Sequence, residues 1–139
     1  MSICEVDKID FCWRDQKDEG KLFLAFTDHL DWENEDEHLK LLQNKLNTYL
    51  SYIENETSYI EDGDQKLFIR QNFQKFEIRI IFKKEPANSC LIFLKKYSNW
   101  LKIYISPDKY NIEIIMDFSR IEKTNLFKRL FLNIKRYFV

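Results

Sequence analysis

Residues 28–50 read Asp28-His29-Leu30-Asp31-Trp32-Glu33-Asn34-Glu35-Asp36-Glu37-His38-Leu39-Lys40-Leu41-Leu42-Gln43-Asn44-Lys45-Leu46-Asn47-Thr48-Tyr49-Leu50. Leu39, Leu42, Leu46, Tyr49, Leu50 and Ile53 recur at three- and four-residue spacing, which lines one face of an α-helix. The spacing predicts an amphipathic helix over 32–54, with Lys40, Gln43, Asn44, Lys45 and Asn47 on its far face. Asp31 is the expected N-cap. Glu33, Glu35, Asp36 and Glu37 follow it in the first turns, where negative charge complements the helix dipole.

Upstream, Val6, Ile9, Phe11 and Trp13 are interleaved with polar residues, and Leu22, Leu24 and Phe26 alternate at period two. The polar stretch Asp15–Gly20 separates them, so strands over 6–13 and 22–26 are expected to form a hairpin. Downstream, Glu61-Asp62-Gly63-Asp64 is a turn. Residues 66–83 are strand-like, with Phe76, Ile78, Ile80 and Phe82 facing one way and Glu77, Arg79, Ile81 and Lys83 the other. Leu67 and Ile69 either begin this strand or form a short one of their own.

Cys90, Phe93, Leu94, Tyr97 and Leu101 make a second helical stripe over 87–102, after Pro86. Ile103-Tyr104-Ile105 reads as helix or as strand. Ile112, Ile114 and Met116 alternate as a last strand. Ser119-Arg120-Ile121-Glu122 is a capping box, and it opens a basic amphipathic helix over 120–137. Leu126, Phe127, Leu130, Phe131, Ile134 and Phe138 form its apolar face, and Lys123, Lys128, Arg129, Lys135 and Arg136 the opposite one. The order β-β-α-β-α-β-α predicts one α+β domain, its helices packed on a mixed or antiparallel sheet. The domain is expected over 1–118, with the tail 119–139 docked on it.

The 139 residues are 45% hydrophobic, 16% aromatic and 32% charged, with 2 Gly and 2 Pro. This composition excludes disordered, collagen-like and glycine-loop architectures. The net charge of −1 hides a division. Residues 1–64 carry 17 acids against 6 bases, and residues 65–139 carry 16 bases against 6 acids. Such asymmetry implies two oppositely charged faces, or two halves that neutralise each other within the fold. Cys4, Cys12 and Cys90 are odd in number and lack CxxC spacing, which argues against a disulfide framework or zinc knuckle. The opening MSICEVDKID carries charges where a signal peptide needs an apolar run, so a cytoplasmic protein with reduced thiols is expected.

The sequence contains no GxGxxG, GxxxxGK[ST], HExxH or GxSxG. The one dense polar cluster is Asp28, His29, Asp31, Glu35 and His38. Two imidazoles among carboxylates suit a metal or an acid/base pair. Yet His29 and His38 lack the i, i+4 spacing that converges two imidazoles on one ion. The sequence therefore predicts no catalytic residue, metal or cofactor. Trp13, Trp32 and Trp100 are expected in the core. Cys12, close to acids, makes a poor nucleophile.

The run DHLDW, acids, HL, LLQ, K, N, YL and then Tyr52-Ile53-Glu54-Asn55 resembles a family of small uncharacterised bacterial proteins, a domain of unknown function. The likeness extends from Val6-Asp7-Lys8-Ile9-Asp10-Phe11 across residues 5–117. It implies a fold rather than a reaction. Some members look like immunity proteins of polymorphic toxin neighbourhoods. The motif also has an architectural explanation: Asp31 caps the helix, Trp32 folds back on Leu39, and Leu42, Leu46, Tyr49 and Leu50 cover the sheet.

The function expected is a non-enzymatic, protein-binding one. An immunity protein would dock Asp28, Asp31, Trp32, Glu33, Glu35, Asp36 and Glu37 on the basic active site of a cognate, nuclease-like toxin, with no nucleic acid bound. The alternative is membrane-surface or nucleic-acid association through the basic tail 119–139.

Overall fold

The computed structural model describes residues 3–105 and 108–121. Alternating apolar residues build β1 (Phe11–Arg14), β2 (Lys21–Asp28), β5 (Lys75–Phe82) and β6 (Asn111–Asp117) into one sheet of order β1-β2-β5-β6. β1 pairs antiparallel with β2, with Trp13 opposite Phe23. β2 runs parallel to β5, with Phe26 beside Ile80, and β5 parallel to β6, with Ile78 beside Ile114. The sheet is therefore mixed. Helix α1 (Glu35–Glu54) belongs to the first parallel crossover and α3 (Asn88–Tyr104) to the second. Between α1 and β5 lie a small hairpin, β3 (Tyr59–Asp62) and β4 (Gln65–Phe68), and the single turn α2 (Ile69–Asn72). The fold is α+β.

The core lies between the helices and one sheet face. Leu22, Leu24, Phe26, Phe76, Ile78, Ile80, Phe82, Ile114 and Met116 meet Leu42, Leu46, Tyr49 and Ile53 of α1, and Cys90, Leu94, Tyr97 and Leu101 of α3. Burying each large apolar side chain contributes about 1.5–3 kcal/mol. Among the described residues no helix is long and apolar enough to cross a membrane.

Several boundaries differ from the sequence expectation, each for a local reason. Residues 6–10 belong to the strand expected over 6–13, but α1 side chains occupy the backbone groups of residues 5–10. Thr48 donates to the Val6 carbonyl and Lys45 to those of Glu5 and Lys8, while the Asp10 amide donates to Tyr49 Oη. The strand therefore begins only at Phe11. The α1 cap is Asn34, not Asp31. Asn34 Oδ1 accepts from the Glu37 amide at 3.2 Å and its amide group donates to the Glu37 carboxylate at 3.0 Å. Asp31 closes only a local turn onto the Glu33 amide at 3.1 Å.

The 61–64 turn joins β3 and β4 as a two-residue loop, with Gly63 at φ 63°, the left-handed position such a turn requires. β4 is a strand separate from β5. α3 continues to Tyr104 rather than giving way to a strand at Ile103, as the rings of Trp100 and Tyr104 stack one turn apart at 4.7 Å. Trp13 and Trp100 are exposed rather than core. The tail helix read over 120–137 lies, past Ile121, outside the described residues.

Candidate functional site

The loop between β2 and α1 gathers the polar cluster, and the structure splits it into a buried part and an exposed part. Asp28 ends β2 on the core-facing side, 1% exposed. Its Oδ1 accepts from the Leu30 amide at 3.2 Å, and its carbonyl accepts from the Lys83 amide at 2.8 Å. Its Oδ2 lies 2.6 Å from Nε2 of His38, itself 3% exposed in the first turns of α1. The other ring nitrogen, Nδ1, lies 2.8 Å from the Asp31 carbonyl. A carbonyl only accepts, so Nδ1 carries a proton, and a second proton joins Nε2 to the Asp28 carboxylate. Trp32 covers the imidazole, with ring centroids 3.4 Å apart and planes within 14°. The sequence reading folded Trp32 back on Leu39; the ring it stacks on is His38, which the Asp31 carbonyl holds against the same loop.

This arrangement is a latch between β2 and α1. Both ring nitrogens are engaged and the ring is out of water, so no lone pair faces an outside ligand. Among the described residues no group of three or more His, Cys, Asp or Glu is placed to hold a metal ion. His29, half-buried, makes no hydrogen bond among the described residues.

Lys45 forms a second latch that the sequence reading assigned to the far, solvent face. It is 0% exposed. Its ammonium donates to the Glu5 and Lys8 carbonyls, each at 2.7 Å, and lies 2.6 Å from Asp10 Oδ2. All three of its hydrogens are thereby used. Tyr49 Oη donates to the Ala25 carbonyl at 2.7 Å, and Tyr97 Oη donates to Asn47 at 3.1 Å. The sequence signal was available: His38, Leu42, Lys45 and Tyr49 recur at three- and four-residue spacing, so a lysine and a histidine stand on the inward stripe.

Of the seven residues expected on a docking face, Asp28 is thus removed into the interior by its bond to His38. Trp32 is half-buried. Asp31, Glu33, Glu35, Asp36 and Glu37 are all exposed, and none forms an ion pair among the described residues. Glu35 accepts from Ser89 Oγ at 2.6 Å, which ties the acidic turn to the start of α3.

A groove of about 470 Å³ opens between β1 and the β3–β4 hairpin, lined by Cys12, Trp13, Arg14, Gln16, Glu19, Ile60, Glu61 and Asp62. Its cation is already engaged: Arg14 lies 2.7 Å from Asp62 and 3.7 Å from Glu19. Burial pushes the Cys12 thiol up to about 11, so little thiolate forms at neutral pH.

No curated protein and no solved structure matches the chain. The likeness read over residues 5–117 has its counterpart in a family model described as a family of unknown function, DUF6572, which matches residues 1–114, and the chain belongs to that family.

Proposed function

We propose that the protein is a non-enzymatic binding module, an immunity protein that docks its acidic α1 entry on the basic active site of a cognate bacterial toxin. One observation carries this reading: Asp31, Glu33, Glu35, Asp36 and Glu37 are exposed within seven residues, unpaired with any described cation. The latches below them support it, since Asp28–His38 and the Asn34 cap hold the turn that presents these carboxylates. A rigid patch loses little conformational entropy on binding.

Toxins that act on nucleic acids carry cationic clefts to hold phosphates. A negative patch steers such a cleft into encounter and raises the association rate, most strongly at low salt. Asp28 has no part in this contact. The half-buried Trp32 contributes at most its outer edge as an anchor beside the carboxylates.

The test is a binding measurement with the product of the neighbouring gene, which this reading expects to be a toxin. A complex whose association rate falls steeply with salt is expected. Absence of a complex at low salt, or binding indifferent to salt, overturns the reading.

A further inference from the structure

β1 is an edge strand, and register identifies its free side. The Asp15 amide donates to the Lys21 carbonyl at 3.0 Å, so the pairs that exchange bonds with β2 are Trp13 with Phe23 and Phe11 with Ala25. The amides and carbonyls of Cys12 and Arg14 therefore point away from β2. In the β3–β4 hairpin the Ile69 amide donates to the Ser58 carbonyl at 2.9 Å, so Ile60 and Asp62 bond to β4. The backbone groups of Tyr59 and Glu61 face outward, and the Tyr59 carbonyl accepts from Tyr52 Oη at 3.0 Å. No described strand takes up Cys12, Arg14 or Glu61 on these free sides.

The two free edges border one slot. The groove of about 470 Å³ has Cys12, Trp13 and Arg14 on one wall and Ile60, Glu61 and Asp62 on the other. The 2.7 Å ion pair of Arg14 with Asp62 ties the walls together, yet their backbones stay unpaired. Cys12 and Ile60 pack toward the core cluster, so Trp13 and Glu61, one residue on, stand on the opposite side of their strands. Trp13 is 43% exposed. The lining is acidic: Glu19, Glu61 and Asp62 stand against one cation, Arg14. Glu61 forms no ion pair among the described residues.

We propose that this slot docks an extended segment of a partner protein, which adds a strand between β1 and β3 and alternates basic with apolar side chains. Free backbone donors and acceptors on both walls are the groups an extended chain satisfies, and a helix, with its own backbone bonds closed, does not. A segment of about four residues, roughly 13 Å long, covers β1. Its successive side chains go to opposite sides. On the side of Cys12 and Ile60 they meet apolar surface. On the other side they meet the Glu61 carboxylate and the Trp13 ring, a pair that suits a lysine or arginine through charge and cation–π attraction. The slot lies beside Tyr52, near the C-terminal end of α1, so the inference does not depend on the acidic patch at the other end of that helix.

Amide hydrogen exchange, read by NMR on the full chain with a capped peptide that alternates lysine and valine, tests it. Saturable binding is expected, with exchange at Cys12, Arg14 and Glu61 slowed several-fold and the amides of α3 unchanged. An N-methylated version of the peptide, which keeps the side chains and loses the donors, should give no protection. Nor should a peptide with glutamate in place of lysine. Glu61→Lys should weaken binding of the lysine peptide several-fold. Absence of protection at millimolar lysine peptide overturns the proposal. So does equal protection by the N-methylated or the glutamate peptide, or native affinity in the Glu61→Lys variant. Exchange at Cys12 and Arg14 that slows with protein concentration, without peptide, assigns the edge to a second copy and also overturns it.

Discussion

His38 Nε2 stands 2.6 Å from Asp28 Oδ2, with both side chains out of water and Trp32 stacked on the imidazole. Removing one member of such a pair leaves the other buried without its partner, which costs about 3–5 kcal/mol. Asp28→Ala is expected to lower the unfolding free energy by that order in urea titration. His38→Ala should do the same, and the double variant should lose much less than the sum. Additive losses would show that the two side chains are not coupled.

Lys45 offers a second, sharper case. Lys45→Met keeps the volume of the stem but removes three hydrogen bonds and leaves the Asp10 carboxylate and the Glu5 and Lys8 carbonyls unmatched. The expected loss is about 3 kcal/mol or more. Hydrogen exchange distinguishes this from a general loss of core packing. Amides of residues 5–10 should exchange faster than those of β5 and β6, because the lysine holds that segment on α1.

The elements were legible where one chemical period rules. The alternation in β2, β5 and β6 and the stripe of α1 are statements about which side of a local element meets the core, and burial follows them. The latches were legible only in part. The sequence set Asp28 and His38 in one polar cluster and His38 and Lys45 on the inward stripe, but not which groups they would bond, and nothing in residues 5–10, about forty residues from Lys45 and Thr48, announces that α1 side chains occupy their carbonyls. The acidic patch was half legible: six carboxylate and aromatic positions reach the surface region of the loop, and Asp28 does not, because the last residue of β2 points inward by the same alternation that buries Phe26.

The acidic turn separates binding from stability. Glu33→Lys with Asp36→Lys reverses two exposed charges. Carboxylates at a helix start contribute only about 0.3–1 kcal/mol each through the dipole, so the fold should remain intact. Association with a cationic partner should slow at low salt and lose most of its salt dependence. Asn34→Ala is the converse control. It removes the α1 cap, costs about 1 kcal/mol of stability, and leaves the charges in place. A charge-reversed variant that binds at the native rate would remove the patch from the contact.

Alkaline pH probes the core through groups that burial holds neutral. Burial raises the Cys12 thiol from 9.0 to about 11 and the Tyr97 hydroxyl to about 12, and pushes Cys90, Tyr49 and Tyr52 up as well. Each folded-state value lies above the unfolded one. Above pH 9 the unfolded chain therefore sheds thiol protons that the folded chain keeps, and stability falls as pH rises. Below the unfolded values these groups contribute no slope. The urea midpoint should accordingly decline from pH 9 upward, with the Cys12 share spread over pH 9 to 11. Cys12 is only partly shielded from solvent, so that share is at most about 2 kcal/mol. Cys12→Ala should make the decline shallower across this window, while the part linked to Cys90 and the tyrosines persists there and at higher pH. An identical pH profile in the variant would show that the thiol is not held neutral by its surroundings.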